Sequence, residues 1–178
     1  MQADEARLKK FSSIADPQRR TYAAMMSAMD DAVGQVLKTL DDTDQRRKTL
    51  ILFLSDNGGP TMKGVTVNGS RNAPLRGSKR TTLEGGIRVP FLMSWPDRIS
   101  AGMYQQPVIQ LDAHTTILAA AGAAIPGDGR LDGVNLLPFL DGEATGHRMK
   151  LSTGDSEIRW RFEKGGSSWF GTIETRTR

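Results

Sequence analysis

The 178-residue chain carries 24 Lys and Arg against 20 Asp and Glu, a net charge of +4 with both histidines neutral, and 38% of its residues are apolar. That length and content suit one domain with a buried core and exclude disordered, collagen-like and coiled-coil chains. With no cysteine at all, the chain has no disulfide, thiolate metal site or cysteine nucleophile, and its scattered basic residues lack the one-sided blocks and interleaved aromatics of a nucleic-acid surface.

No secretory signal is read at the N-terminus, because Met1-Gln2-Ala3-Asp4-Glu5 leads into no apolar stretch. Asp16-Pro17 predicts the start of a helix: Asp caps free N–H groups and Pro is preformed for the first turn. Tyr22, Met25, Met29, Val33, Val36 and Leu40 then recur at three- and four-residue steps, so one apolar face is expected to be buried. Gly34 costs this helix about 1 kcal/mol relative to Ala and is read as a mark of close packing. Asp30 and Asp31 point in different directions on a helix and read as a solvated face without chemistry.

Residues 49–55 are apolar on both faces and too short for a stable helix; they predict a central strand covered on both sides. A second strand is expected over 87–94, with Pro90 placing it at an edge, a bulge or a bend. Between them, 58–86 is a long Gly-, Asn- and Arg-rich stretch with little periodicity, a length at which loops inside a domain are usually functional or disordered. Residues 112–121 predict a helix capped by Asp112, stopped by Gly122 and followed by Pro126. Longer apolar runs, such as 50–54 and 117–121, fall far short of the roughly 20 residues of a spanning helix, so no membrane segment is expected. Helix, strand, strand and helix in this order imply an α/β layered sheet.

Ser55-Asp56-Asn57-Gly58-Gly59-Pro60 follows the first strand. The carboxyl ends of strands form the binding crevice in open α/β sheets. Asp56 and Asn57 offer hard oxygen suited to Ca²⁺ or Mg²⁺. The same residues also fit a plain turn, since Asn-Gly after an apolar run is a hairpin signal, although nothing after Gly59 alternates like a returning strand. The cluster Arg76-Gly77-Ser78-Lys79-Arg80 is likewise either a solvated basic loop or an anion site, with Lys as a point charge and Arg as a fork.

Asp-Asn-Gly-Gly-Pro at 56–60, Pro-Leu-Arg-Gly-Ser-Lys at 74–79, Glu-Gly-Gly-Ile-Arg-Val-Pro-Phe at 84–91 and Leu-Asp-Gly-Val-Asn-Leu-Leu-Pro at 131–138 resemble, in order, the second half of the type I sulfatases. The resemblance covers about residues 8–145 and is nearest in flavour to bacterial arylsulfatases similar to N-acetylgalactosamine-6-sulfatase. It implies an alkaline-phosphatase-like α/β fold with helices on both faces of the sheet, and a sulfuric ester hydrolase in which a formylglycine hydrate attacks sulfur while Ca²⁺ polarises the sulfate oxygens. It implies Asp56 and Asn57 as metal ligands and Lys79 as the catalytic group on the sulfate or the leaving oxygen, with Arg88 bracing the strand.

The same resemblance divides the chain into 1–145, the C-terminal part of the catalytic domain, and 146–178, the start of a small subdomain. Residues 158–162 resemble its first strand, and 172–178 read as frayed. The formylglycine motif and N-terminal strands of the family are not represented, so a fragment inactive by itself, with a missing N-terminal half as partner, is expected. Ser94-Trp95-Pro96-Asp97-Arg98 has the form of a nucleophile motif but occupies a strand end where the family repeats Trp-Pro for structural reasons. Neither His114 nor His147 has a partner at ligand spacing. The substrate implied is a sulfate ester, with sulfated glycans among the candidates and no nucleic acid or membrane partner; family relatives are often secreted or periplasmic. The competing readings are a noncatalytic module for a divalent metal or a sulfated glycan, and a broken reading frame whose uncovered sheet edges aggregate.

Overall fold

In the computed structural model of the protein, which describes residues 1–62, 66–128, 130–141, 151–153, 156–165 and 168–177, a short helix α1 (Glu5–Lys10) precedes the long helix α2 (Pro17–Asp42). The Asp16 carboxylate accepts from the N–H groups of Gln18 and Arg19, as its place before Pro17 predicts. Helix α1 is capped the same way by Asp4, which accepts from Arg7 N at 2.8 Å. Arg7 then reaches across to Asp31 with an Nη1–Oδ2 separation of 2.6 Å. One of the two adjacent aspartates thus fastens α1 to α2.

The apolar stripe of α2 is less covered than its periodicity predicts. Ala24 is the buried residue of this helix, while Met25, Met29 and Val36 are 40%, 40% and 61% exposed. Periodicity marks a face that can be covered; it carries no information about what covers it. Gly34 likewise corrects the expectation of close packing, because a Cβ there would meet nothing within 4 Å.

After a short 3₁₀ turn (Arg46–Lys48), strand β1 (Ile51–Leu54) pairs antiparallel with strand β4 (Phe91–Ser94), in the register Ile51 to Ser94 and Leu54 to Phe91. Between them lie β2 (Thr61–Met62) and β3 (Thr66–Val67), which pair with each other, and a single helical turn α3 (Glu84–Ile87). β1 is half-buried, with Phe53 exposed, so the expected cover on both faces is not found among the described residues. The strand expected from 87 begins at 91, because Gly86 and Arg88 give their N–H groups to Leu83 and Glu84 and close a turn there first. The antiparallel pairing has one consequence for everything downstream: the exit of β1 and the entry of β4 lie at the same end of the sheet.

The chain divides into two compact units, 1–96 and 97–178. The second unit is built on helix α4 (Gln110–Ala120). It starts two residues earlier than expected, which makes Asp112 a residue of the first turn and not the cap. From there the Asp112 carboxylate, 1% exposed, accepts from Ile109 N at 2.9 Å and from Val134 N at 2.8 Å. One turn on, Thr116 accepts from Leu136 N at 2.9 Å. Gly133 lies so near the Leu111 carbonyl that a Cβ would run into it. Side chains of α4 therefore take the N–H groups of Val134 and Leu136, in a segment that pairs with no strand among the described residues, and Leu136 and Leu137 bury beside them. The helix ends in paired bonds from Gly122 N to Ala119 O and from Ala123 N to Leu118 O, with Gly122 at φ 67, the αL stop predicted for that glycine.

Beyond the short helix α5 (Leu137–Leu140), strands β5 (Leu151–Thr153), β6 (Ser156–Gly165) and β7 (Ser168–Thr177) form an antiparallel meander. The strand read at 158–162 falls within β6, and the end read as frayed is paired through Thr177. His147 lies outside the described residues. Among the described residues no helix is long and apolar enough to cross a membrane.

The hydrogen bond from Arg7, and then its charge, hold the Asp31 carboxyl below the ordinary aspartate range. A carboxyl depressed on folding stabilises the fold above its unfolded pKa, and that stabilisation is lost as pH falls through the folded value. Asp31→Asn is expected to lower the thermal midpoint at neutral pH and to converge with the wild type once pH has fallen through the depressed folded pKa, in circular-dichroism melts across the acid range. Gly34→Ala, with open space for its methyl group, is expected to stabilise α2 by about 0.5–1 kcal/mol in urea titrations.

Candidate functional site

The pairing of β1 with β4 continues past the strands. Ser55 N donates to Pro90 O at 3.2 Å and Gly58 N to Gly86 O at 2.9 Å. Loop 55–59 is thereby laid against 84–90, and the Ser55 hydroxyl tightens it by donating to Asn57 O at 2.9 Å. The approach is backbone on backbone. A Cβ on Gly58 would run into the Gly85 carbonyl, and one on Gly86 into the carbonyls of Ser78 and Thr81. Only glycine lets these main chains come this close.

A third segment locks the pair. The Asn72 side chain accepts from Gly59 N at 2.8 Å and donates to Gly59 O at 2.8 Å and Gly77 O at 3.0 Å. An Asn amide has both a donor and an acceptor end, so one residue can pair with the N–H and the C=O of a loop at once. Lys79 N adds a bond to Gly59 O at 3.3 Å, and Gly85 N bonds Arg76 O at 2.7 Å. Asn72 is the site-building residue that the sequence reading missed. Its only local signal is an amide set in a Gly- and Arg-rich stretch just before Pro74.

Lys79 and Arg80 form the tip of a turn closed by Thr81 N to Ser78 O at 3.0 Å. The turn is held by reciprocal bonds between Ser78 and the Thr81 hydroxyl. Ser78 is buried at 2% exposure, whereas Lys79 and Arg80 are exposed. Arg80 stands at φ 74, the left-handed conformation that the third position of a type II turn requires and that Gly or Asn usually supplies. A buried base and a strained tip hold the two cations out from the loop.

The three residues proposed from sequence are thus carried by adjoining loops. Lys79 shares a backbone hydrogen bond with the residue two past Asn57. Asp56 is exposed and Asn57 is half-buried. Asn57 Nδ2 donates to Gly58 O at 3.0 Å, which leaves Oδ1 as the atom to offer a ligand. Carboxylate and amide oxygens are the donors that hard divalent cations take, and Ca²⁺ takes six to eight of them, so Asp56 and Asn57 would fill only part of its shell. Among the described residues no three His, Asp or Glu are grouped to hold a metal by themselves. Arg88 pairs with Glu84 at 3.1 Å and braces the helical turn α3 in place of the strand. Ser94 accepts from Arg46 Nη2 at 3.2 Å and sits opposite Ile51. That is the far end of β1 from Asp56, roughly 15 Å along the strand. His114 is exposed on α4.

A family profile described as Sulfatase matches residues 2–123. The chain is 40% identical over 130 residues to mouse (Mus musculus) steryl-sulfatase, covering 69% of the chain and 20% of that protein. It is 39% identical over 124 residues to human (Homo sapiens) N-acetylgalactosamine-6-sulfatase, covering 69% of the chain and 24% of that protein. The crystal structure of Ps i-CgsB in complex with k-i-k-neocarrahexaose superimposes with a TM-score of 0.76 at 34% identity, over 97% of this chain and 36% of that one. The chain spans about a quarter of the length of the curated relatives it matches.

Replacing Asn72 by Ala strips Gly59 and Gly77 of their side-chain partners in a half-buried place. The expected loss is about 2–4 kcal/mol, measured as a fall in urea midpoint at unchanged slope.

Proposed function

This chain belongs to the sulfatase family, and we propose on that premise that loops 55–59 and 72–81 are the cation- and anion-binding part of a sulfate-ester hydrolase. The observation that carries the reading is the hydrogen bond from Lys79 N to Gly59 O. It ties the backbone of Lys79, whose side chain is exposed, to the loop that carries Asp56 and Asn57. The solved neighbours of this fold are sulfatases of the alkaline-phosphatase-like α/β type, which supports reading the strand end as the reacting edge.

In this reading Asp56 and Asn57 Oδ1 hold a divalent cation, Ca²⁺ in preference to Mg²⁺. When bound, such an ion polarises the sulfate oxygens as a Lewis acid. Lys79 places its ammonium on a sulfate oxygen or on the ester oxygen that departs. There it stabilises negative charge as the charge develops, and the preset turn at 78–81 lowers the cost of orienting it. Arg88, already paired with Glu84, positions α3 and touches no substrate. Attack on sulfur is assigned to no residue of this chain, which has no cysteine and whose Ser94 is bonded to Arg46 at the other end of β1. The 178 residues by themselves are therefore expected to bind the ester without turning it over.

Calorimetric titration separates the roles. Asp56→Asn is expected to weaken Ca²⁺ binding at least about tenfold, the loss of one charged ligand, and Lys79→Ala to weaken inorganic sulfate binding while leaving Ca²⁺ binding in place. Unaltered Ca²⁺ binding in Asp56→Asn would remove the metal assignment. Sulfate-ester hydrolysis by the unaltered chain would remove the division of labour between binding and attack.

A further inference from the structure

Between Asp44 and Glu84 the only acidic residue is Asp56, whereas 71–80 alone holds Arg71, Arg76, Lys79 and Arg80. All four are exposed, and none has an ion pair with a carboxylate among the described residues. The fold brings them together. Arg71 adjoins Asn72, which is bonded to Gly59 and Gly77; Arg76 adjoins Gly77; Lys79 is bonded to Gly59 through its own N–H; and Arg80 follows it. Each cation lies within one residue of the hydrogen-bond hub centred on Asn72.

One ammonium suffices for one sulfate. Four cationic residues on one short segment repel one another, and Asp56 is the single acidic residue of 45–83 to set against them. The left-handed backbone at Arg80 adds its own cost, of order 1 kcal/mol or more for a residue with a side chain. An ester whose single sulfate is its only charge would leave Arg71, Arg76 and Arg80 without a counter-charge. A ligand carrying further sulfates next to the scissile one would supply it, with each guanidinium able to take an oxyanion as a fork.

We propose that the loop carrying Arg71, Arg76 and Arg80 is a secondary anion-binding strip that selects oligosaccharides bearing several sulfates over singly sulfated esters. The proposal rests on the reading of Lys79 as the group that holds the reacting sulfate. The strip draws polyanions toward the site through its field and discriminates by pairing with sulfates beyond the first.

The test is direct binding by the full chain of two galactan hexasaccharides, one with three sulfates and one with a single sulfate, with a DNA hexanucleotide and inorganic sulfate as reference ligands. The double variant Arg71→Gln with Arg80→Gly suits the backbone at both places, and its melt verifies folding. The wild type is expected to favour the trisulfated sugar roughly tenfold over the monosulfated one, as two partly exposed ion pairs would give, and the variant to lose most of that ratio. The preference is also expected to shrink as salt is raised, because screening acts on exposed charges. Equal binding of the two sugars by the wild type, an unchanged ratio in the folded variant, or DNA bound as tightly as the trisulfated sugar overturns the proposal. Inorganic sulfate binding in Lys79→Ala is a separate readout: unaltered binding there overturns the underlying site even where the sugar ratio behaves as expected.

Discussion

Three stretches of main chain, around Gly58, Gly77 and Gly86, approach so closely that no side chain fits between them, and the rest of the site depends on that contact. Gly58 N to Gly86 O and Gly85 N to Arg76 O are its direct bonds, and Asn72 supplies the remaining polar partners. The contact arises because β1 and β4 run antiparallel. The exit of one and the entry of the other meet at one end of the sheet, so a loop after β1 can pair with a turn before β4. A backbone-to-backbone seam is stiff for its size. It has no rotamers to order, and a β-carbon at Gly58 or Gly86 would open it.

That seam explains why so many residues of this region are glycine and amide while so few carry chemistry. On the proposed function, Asp56, Asn57 and Lys79 are the groups that meet the cation and the sulfate, and the seam holds the loops that carry them. The Ser78 to Thr81 turn does this for Lys79 by burying its base and exposing its tip. The absence of acid between Asp56 and Glu84 does it electrostatically: with no competing carboxylate in the segment, the basic side chains remain available to an incoming anion.

The second unit solves a related problem by other means. Its segment 134–136 pairs with no strand among the described residues, and the polar face of α4 takes the place of one. A nearly inaccessible aspartate is tolerated there because main-chain N–H groups surround its carboxylate. In both units, side-chain to main-chain bonds hold irregular backbone in a fixed path, and this is why short motifs around 56–60, 84–91 and 131–138 stand out against a chain with little other pattern.

What the sequence determined by itself was what depends on neighbours along the chain. Asp16-Pro17 starts α2, Gly122 stops α4, and a continuous apolar run makes β1, because capping, φ preference and short-range periodicity are properties of a few consecutive residues. Asp56, Asn57 and Lys79 were legible as candidates on the same basis, from residue type and position after a strand. The tertiary structure decided what depends on contacts between distant segments. It turned the start of the second expected strand into the helical turn α3, left much of the α2 stripe uncovered and gave Asp112 a partner in Val134. It also made Asn72 the hub of the site. No local pattern encodes these, because the energy of a main-chain amide depends on which partner reaches it, and that is settled only when distant segments meet, as the loops of the site do once β1 pairs antiparallel with β4.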